Sequence, residues 1–213
     1  VYKRQAQAFQ GRINCFGIDN YNLYHRPPID SLSTLAARYL DEMTAHGLLS
    51  GSSPVQIVGW SLGGLIALEV AALLEARGVG QVSLYLLDSF YQQAVGEQPS
   101  SDLLSALGIT AEAAQRAMAI AGTEQRLAQG VISRRLMTTR VTLFKATQPN
   151  PQLPDDVMRE LLAVQDNGLQ QVCEDLTVIP LACHHHNILQ CAEEIGEVLS
   201  LIHISEPTRQ EAI

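Results

Sequence analysis

The sequence predicts an α/β fold with a mainly parallel sheet and helices on both faces. Short apolar, β-branched runs alternate along the chain with segments whose apolar residues recur at helical spacing. One run, residues 81–87, is apolar almost throughout, which is typical of a parallel strand that is buried on both faces. The length of 213 residues and the hydrophobic content of 46% fit one such domain with a substantial core.

The elements come in a regular order along the chain. The predicted strands cover residues 12–18, 55–58, 81–87, 141–146 and 176–181, and the predicted helices cover about 31–46, 62–77, 155–163 and 188–199. Residues 19–30 and 148–154 are predicted loops. Residues 101–139 contain no strand-like stretch and are too long for a simple crossover. We therefore expect a helical lid at about 91–139, over the edge of the sheet where ligands bind in such folds.

Both ends of the chain depart from this pattern. Residues 1–5 fit poorly with the segment after them, and residues 201–210 break the helical pattern that precedes them. We therefore expect residues 1–5 and about 201–213 to be non-native sequence, with the domain proper at 6–199.

Charge and composition argue against several classes of partner. The formal net charge of −8 is the wrong sign for a nucleic-acid surface. No apolar run reaches the ~18 residues of a membrane span, and the first residues do not resemble a signal peptide. The four cysteines form no C-x-x-C pair, which favours reduced thiols. We expect a cytoplasmic protein without nucleic-acid or membrane partners.

One turn carries a pattern with chemical meaning. Residues 59–63, Gly-Trp-Ser-Leu-Gly, join an apolar strand to a helix and match the G-x-S-x-G nucleophile elbow of α/β-hydrolases. Gly59 and Gly63 are expected to lie where a Cβ would clash. Ser61 would project from the sheet, and the N–H of Leu62 would face a developing oxyanion. The alternative is a tight turn whose serine only caps the helix.

A serine nucleophile needs a base and an acid, and in this fold the order is Ser, acid, His, each after a strand. Asp88 directly follows the strand at 81–87, although an aspartate there could also be a turn residue. His184, His185 and His186 come after the last strand and supply a candidate base. Three adjacent histidines cannot all face one ion, so we expect no metal site. The rival aspartates, none of which ends an apolar strand, are Asp102, Asp155, Asp156, Asp166 and Asp175.

These stretches together resemble the type I thioesterase domain at the carboxyl end of nonribosomal peptide and polyketide synthetases. The matching segments lie at 16–18, 35–40, 59–64, 86–90, 141–146 and 178–189. The resemblance implies Ser61 as nucleophile and Asp88 as acid. The family's motif around the base, laid on residues 183–189, implies His185 as base. Cys183 and His184 replace the family's glycine and acidic residue, so His186 remains an alternative.

The resemblance also implies a reaction and a partner. It implies release of an acyl or peptidyl chain from the phosphopantetheine arm of a carrier domain, by hydrolysis or macrocyclisation, in antibiotic or siderophore biosynthesis. The domain itself would bind no cofactor, because the arm belongs to the carrier. The alternatives are a stand-alone type II editing thioesterase, a small-molecule esterase or lipase, and a binding module with a vestigial triad. The family's opening strand and oxyanion loop have no counterpart before Arg12, so we expect poor activity and a tendency to aggregate.

Overall fold

Four parallel strands, in the spatial order β1-β2-β3-β4, form the sheet of the computed structural model. They are β1 Val55–Trp60, β2 Val82–Leu87, β3 Leu136–Ala146 and β4 Cys173–Leu181. The structure describes residues 16–49, 54–92, 111–151 and 154–205, with only the backbone at 111–119 and 200–205. Because all three pairings are parallel, the carboxyl ends of the strands meet at one edge of the sheet.

Helices connect and cover the strands. They are α1 Tyr21–Tyr24, α2 Leu32–Ala45, α3 Leu62–Ala76, α4 Ala111–Ala128, α5 Asp155–Ala163 and α6 Ala192–Ser205. Two 3-10 turns lie at Leu169–Gln171 and Ile188–Gln190. Of the helices described, none combines the length and hydrophobicity that a membrane span requires.

The core has one part on each face of the sheet, because successive side chains of a strand point to opposite faces. Leu84 and Leu86 of β2 pack with the apolar faces of α2 and α3. Tyr85 and Leu87 pack on the other face, with Ile195 of α6. All six residues of β2 are buried. The predicted α/β-hydrolase architecture, a parallel sheet with helices on both faces, is confirmed.

The start of β3 differs from the prediction. The strand begins at Leu136 rather than at residue 141, so it extends into the stretch expected to be lid. A register shift lies between Leu136 and Arg140. Glu75 of α3 accepts the backbone N–H groups of residues 137–139 at 2.6–3.1 Å. A carboxylate on a helix thus supports this part of the strand. Within the expected lid, α4 is a described helix, and residues 93–110 lie outside the described part.

The boundaries of the other helices and strands differ less from the predicted ones. Of the strand predicted at 12–18, residues 12–15 lie outside the described part and 16–18 are not in a strand. The predicted loop at 19–30 contains α1, and β4 begins at Cys173 rather than at residue 176. The predicted helix at 188–199 opens with a 3-10 turn. Its helical part then continues to Ser205, past the expected break at 201, because no proline or glycine occurs between Gly196 and Pro207.

Candidate active site

Ser61 occupies the sharp turn between β1 and α3. Its backbone has φ 53° and ψ −124°, a conformation that costs a non-glycine residue about 1–3 kcal/mol. Hydrogen bonds on both sides hold it there. Its N–H donates to the carbonyl of Leu87 at 3.1 Å, and its own carbonyl accepts the N–H of Gly64 at 3.0 Å. The Ser61 side chain makes no capping bond to any described residue of α3, so the capping alternative is wrong.

Glycines allow α3 to start this close to the sheet. A Cβ at Gly59 would lie 2.6 Å from the carbonyl oxygen of Gly63 and from the Cα of Gly64, as expected. We also expected a clash at Gly63, and this expectation is wrong. Apart from its chain neighbours and the backbone of its own helix, no described atom lies within 4 Å of a Cβ built at Gly63. The crowded position is Gly64 instead. Its Cβ would overlap the Oγ of Ser89 and lie 2.5 Å from the Cβ of Ser89.

Asp88 lies directly after β2 and is 3% exposed. Its N–H donates to the carbonyl of Phe144 at 2.9 Å, which ties the residue to the neighbouring strand. Both carboxylate oxygens are engaged. Oδ1 accepts the N–H of Ala146 at 3.1 Å and the side-chain amide of Asn167 at 3.2 Å, while Oδ2 lies 2.9 Å from Nδ1 of His185.

His185 lies between Asp88 and Ser61. While Nδ1 faces Asp88, Nε2 lies 3.1 Å from the Oγ of Ser61. The ring packs beside Trp60, with 5.6 Å between ring centroids. A hydroxyl, an imidazole and a carboxylate in this order can pass the hydroxyl proton to the ring.

The flanking histidines do not approach the serine. His186 is exposed, and its ring lies edge-on to that of His185 at 5.3 Å. Within the described part it forms no hydrogen bond with Ser61 or Asp88. Partial burial and the neighbouring His185 and His184 lower the pKa of His186. His184 instead accepts the backbone N–H of His186 at 3.3 Å. The structure brings His185, rather than the alternative His186, to the other two residues.

Leu62, the expected oxyanion donor, is the first residue of α3. The N–H groups of a helix's first turn have no partner within the helix. The first turn of α3 also contains no acidic residue, so the partial positive charge of the helix N-terminus is not neutralised there. The N-terminal end of α3 can therefore stabilise a negative charge that develops beside Ser61.

A second buried polar group, formed by Asn167 and Lys145, lies behind Asp88 and was missed by the sequence reasoning. Asn167 is 0% exposed and, besides Asp88, contacts the carbonyl of Ser89 at 3.2 Å. Its side-chain carbonyl accepts a hydrogen bond from Lys145 Nζ at 2.5 Å. Burial lowers the pKa of Lys145, whereas the charges of Asp88 and Asp166 raise it. The signals in the sequence were a lysine in an apolar strand and the turn pair Asn167-Gly168.

A pocket of about 460 Å³ lies beside this group, and Ser61, Asp88 and His185 do not line it. Its lining residues are Lys145, Thr147, Leu162, Gln165, Asp166, Val178 and Pro180.

Among the described residues, no group of three or more His, Cys, Asp or Glu side chains is placed to hold a metal ion.

Comparison with known proteins identifies relatives by sequence. A family model described as "Thioesterase domain" matches residues 1–203. The orsellinic acid synthases ArmB of Armillaria mellea and Armillaria ostoyae are each 35% identical to the chain over 87 residues. This match covers 41% of the chain but only 4% of either synthase, so the chain spans a small part of these relatives.

Solved structures share the fold. The Vlm2 thioesterase domain bound with a dodecadepsipeptide has a TM-score of 0.63 and 16% identity, over 94% of this chain and 86% of that one. The NocB thioesterase domain in covalent complex with a fluorophosphonate nocardicin G analogue has a TM-score of 0.60 and 23% identity, over 85% and 80%. YbtT, a type II thioesterase from the yersiniabactin pathway, has a TM-score of 0.57 and 18% identity, over 92% and 86%.

Proposed function

The chain belongs to the thioesterase domain family, and from this premise we propose that it is a serine thioesterase. Ser61 is the nucleophile, His185 the general base, and Asp88 the acid that orients the base. The observation that carries the proposal is the unbroken chain of contacts from Ser61 Oγ to His185 Nε2 at 3.1 Å and from His185 Nδ1 to Asp88 Oδ2 at 2.9 Å. Such a chain is the geometry that activates a serine hydroxyl.

In the first half-reaction, the Oγ of Ser61 bonds to the carbonyl carbon of the thioester while Nε2 of His185 takes the hydroxyl proton. The N–H of Leu62 donates to the resulting oxyanion. Asp88 stabilises the imidazolium through Nδ1. When the tetrahedral intermediate collapses, the C–S bond breaks, the thiol leaves with the proton from His185, and the acyl group stays on Ser61.

In the second half-reaction, a second nucleophile releases the acyl group. His185 takes a proton from this nucleophile as it attacks the ester carbonyl, and then returns a proton to the Oγ of Ser61. Water yields a free acid. A hydroxyl or amine of the chain itself yields a macrocycle.

We propose an acyl or peptidyl chain on the phosphopantetheine arm of a carrier domain as the substrate. The support comes from the relatives: the curated matches are synthases, and the Vlm2 domain was solved with a bound dodecadepsipeptide. The arm would arrive as part of the substrate. The similarity to YbtT and to BorB, both type II thioesterases, favours a second candidate, a stand-alone thioesterase that removes wrong acyl groups from carriers.

The direct test uses a fluorophosphonate and a matched pair of small substrates. Wild-type protein should gain the mass of one phosphonyl group at Ser61, found by peptide mapping. It should release thiol from an acyl-pantetheine thioester faster than it hydrolyses the oxygen ester of the same acyl group. Ser61→Ala should do neither, and Ser33→Ala, at an exposed serine, should do both. Equal turnover by Ser61→Ala would overturn the proposal, and a preference for the oxygen ester would indicate a small-molecule esterase. Absence of labelling of the folded protein would indicate a binding module, whereas labelling with slow turnover would fit the poor activity expected from the sequence.

A second experiment separates chain release from editing. A carrier domain is loaded either with a long peptidyl chain or with an acetyl group, and its discharge is followed by intact mass. Faster discharge of the peptidyl chain supports the release function. Faster discharge of the acetyl group supports the type II function.

A further inference from the structure

We propose that Asn167, held in place by Lys145, is a positioning residue that fixes the Asp88 carboxylate so that Oδ2 faces His185. The proposal rests on the catalytic roles given above. It stands on three buried groups in direct contact: Lys145 is 4% exposed, Asn167 0% and Asp88 3%. Asn167 lies 79 residues from Asp88 in sequence and 22 from Lys145.

The first step concerns the orientation of the Asn167 amide. A lysine ammonium only donates hydrogen bonds, so the side-chain oxygen of Asn167 must be the atom that lies 2.5 Å from Nζ. The amide NH₂ group then faces Asp88 Oδ1 and the carbonyl of Ser89, both at 3.2 Å. Which end of an amide is oxygen and which is nitrogen is assigned from the hydrogen-bond partners. Here Lys145 fixes which atom faces Asp88.

The second step concerns the Asp88 carboxylate. Its Oδ1 has two donors, the backbone N–H of Ala146 at 3.1 Å and the Asn167 amide. The sheet fixes the first donor, and only the second comes from a side chain. Without Asn167, one donor remains, and the carboxylate can rotate about its Cβ–Cγ bond. Rotation of the carboxylate would move Oδ2, and with it the His185 ring, because Oδ2 orients that ring. A misplacement of about 1 Å costs on the order of 10²-fold in rate.

The third step concerns the loop that presents Asn167. Asn167 has φ 51°, in the left-handed region that asparagine tolerates better than most residues. Gly168 follows with φ 78°. The carboxylate of Asp166 accepts the N–H of Gly168 at 3.1 Å and that of Gln170 at 2.9 Å, and the carbonyl of Asn167 accepts the N–H of Tyr91 at 2.9 Å. The backbone is therefore held on both sides of Asn167, whose side chain donates to Asp88 Oδ1.

The fourth step concerns charge. The charged and titratable groups that act on Lys145 are Asp88 and Asp166, and Asp88 in turn contacts His185. The Phe90 ring also lies near, with Nζ 5.8 Å from its centroid. Asp88 and Asp166 attract the Lys145 ammonium, which helps to hold it against the side-chain carbonyl of Asn167.

The test is a double-mutant cycle on the full chain, with an acyl-pantetheine thioester as substrate. We expect Asn167→Ala to lower kcat by about ten- to a hundredfold with little change in KM, and Lys145→Met to lower kcat less. Because Lys145 acts through Asn167, the double variant should resemble Asn167→Ala rather than show the product of the two effects. Gln170→Ala is the matched control: it shortens an exposed side chain in the same loop, keeps the backbone N–H that Asp166 accepts, and should retain kcat.

Asn167→Gly guards against misfolding of the alanine variant. Glycine adopts the φ of 51° without strain and also lacks the donor to Asp88, so this variant should lose activity while remaining folded by urea unfolding. A second readout, which needs no turnover, is the downfield NMR signal of the His185 Nδ1 proton, which faces Asp88. Asn167→Ala should weaken this signal, and Lys145→Met should weaken it less.

These readouts separate the two proposals. If Ser61→Ala turns over the thioester as fast as the wild type does, the proposed function is wrong. If Ser61→Ala is inactive but the Asn167 variants match Gln170→Ala in kcat, or if the two effects multiply, the positioning role is wrong. If the wild type shows no turnover, an unchanged His185 Nδ1 proton signal in the Asn167 and Lys145 variants would equally overturn the role.

Discussion

The first turn of α3 passes so close to the end of β2 that one methyl group should disturb it. In Gly64→Ala the new Cβ would overlap the Oγ of Ser89, lie 2.5 Å from its Cβ, and lie 3.2 Å from Cδ2 of Leu86. Ser89 is 0% exposed, so its side chain has no free space into which to turn. Either α3 or the segment after β2 must move.

Two opposing contributions set the size of the effect. Extra carbon atoms in a packed interior cost about 1–3 kcal/mol. Replacing a helical glycine by alanine returns up to about 1 kcal/mol. We therefore expect Gly64→Ala to lower the free energy of unfolding by about 1–2 kcal/mol. Because Ser89 adjoins Asp88, thioester turnover should fall by about tenfold or more.

Urea unfolding, followed through the fluorescence of the single tryptophan, Trp60, can identify the clash as the cause. Ser89→Gly removes both overlapping atoms and should restore most of the stability lost in Gly64→Ala. Ser89→Ala leaves the Cβ at 2.5 Å and should restore less. Gly59→Ala is the control, because its Cβ would meet backbone atoms of residues 63 and 64 rather than Ser89, so neither change should rescue it.

The expected coupling between positions 64 and 89 is about 0.5–3 kcal/mol, and that between 59 and 89 is close to zero. If the effects of Gly64→Ala and Ser89→Gly add to within about 0.5 kcal/mol, the steric explanation is refuted. A Gly64→Ala variant as stable as the wild type would refute it as well.

Three further predictions concern other parts of the molecule. Burial raises the pKa of Glu75, but its bonds from three backbone N–H groups outweigh this and lower the pKa to about 2. Glu75→Ala should therefore lower the free energy of unfolding by about 1–3 kcal/mol in urea at pH 7. The difference between this variant and the wild type should be lost as pH falls from about 4.5 to about 2, because the lowered pKa means that the ionised carboxylate is the form that stabilises the fold. Burial raises the pKa of Cys173 and Cys183 to about 12, so mass mapping should show slow alkylation of both at about pH 8 until urea unfolds the protein. His185→Ala should lower thioester kcat/KM by about 10⁴–10⁶-fold and His186→Ala by less than about tenfold, and the reverse order would contradict the assignment of the base.

The parts of the site that sequence could predict depend on local patterns. Ser61 and Asp88 each come directly after an apolar strand, so the end of the apolar run marks the position of the polar residue. The parallel sheet then brings both to one edge. His185 needed more than this pattern, because three adjacent histidines satisfy it equally. The family resemblance, rather than periodicity, distinguished among them.

The parts that sequence could not predict depend on contacts between distant segments. Gly64 matters because Ser89 lies against it, and nothing near either residue in the sequence indicates this. The first residues of β3 form a strand whose N–H groups bond to Glu75, on another element. Asn167 has the pattern of an ordinary turn residue until the fold brings it to Asp88.

Three residues of the candidate site have strained backbones, and each is held by a hydrogen bond to another segment. Ser61, Asp88 and Asn167 have φ values of 53°, 43° and 51°, each costing about 1–3 kcal/mol outside glycine. A backbone bond to a distant segment holds each one: Ser61 to Leu87, Asp88 to Phe144, and Asn167 to Tyr91.

Each of these three bonds depends on the packing of a neighbouring segment. Leu87 is the last residue of β2 and Phe144 lies in β3, so the register between β1, β2 and β3 sets the distance from Ser61 to Asp88. A change that shifts this register should separate the serine from the acid even when all three side chains remain. The register of the sheet therefore sets the geometry of the proposed active site.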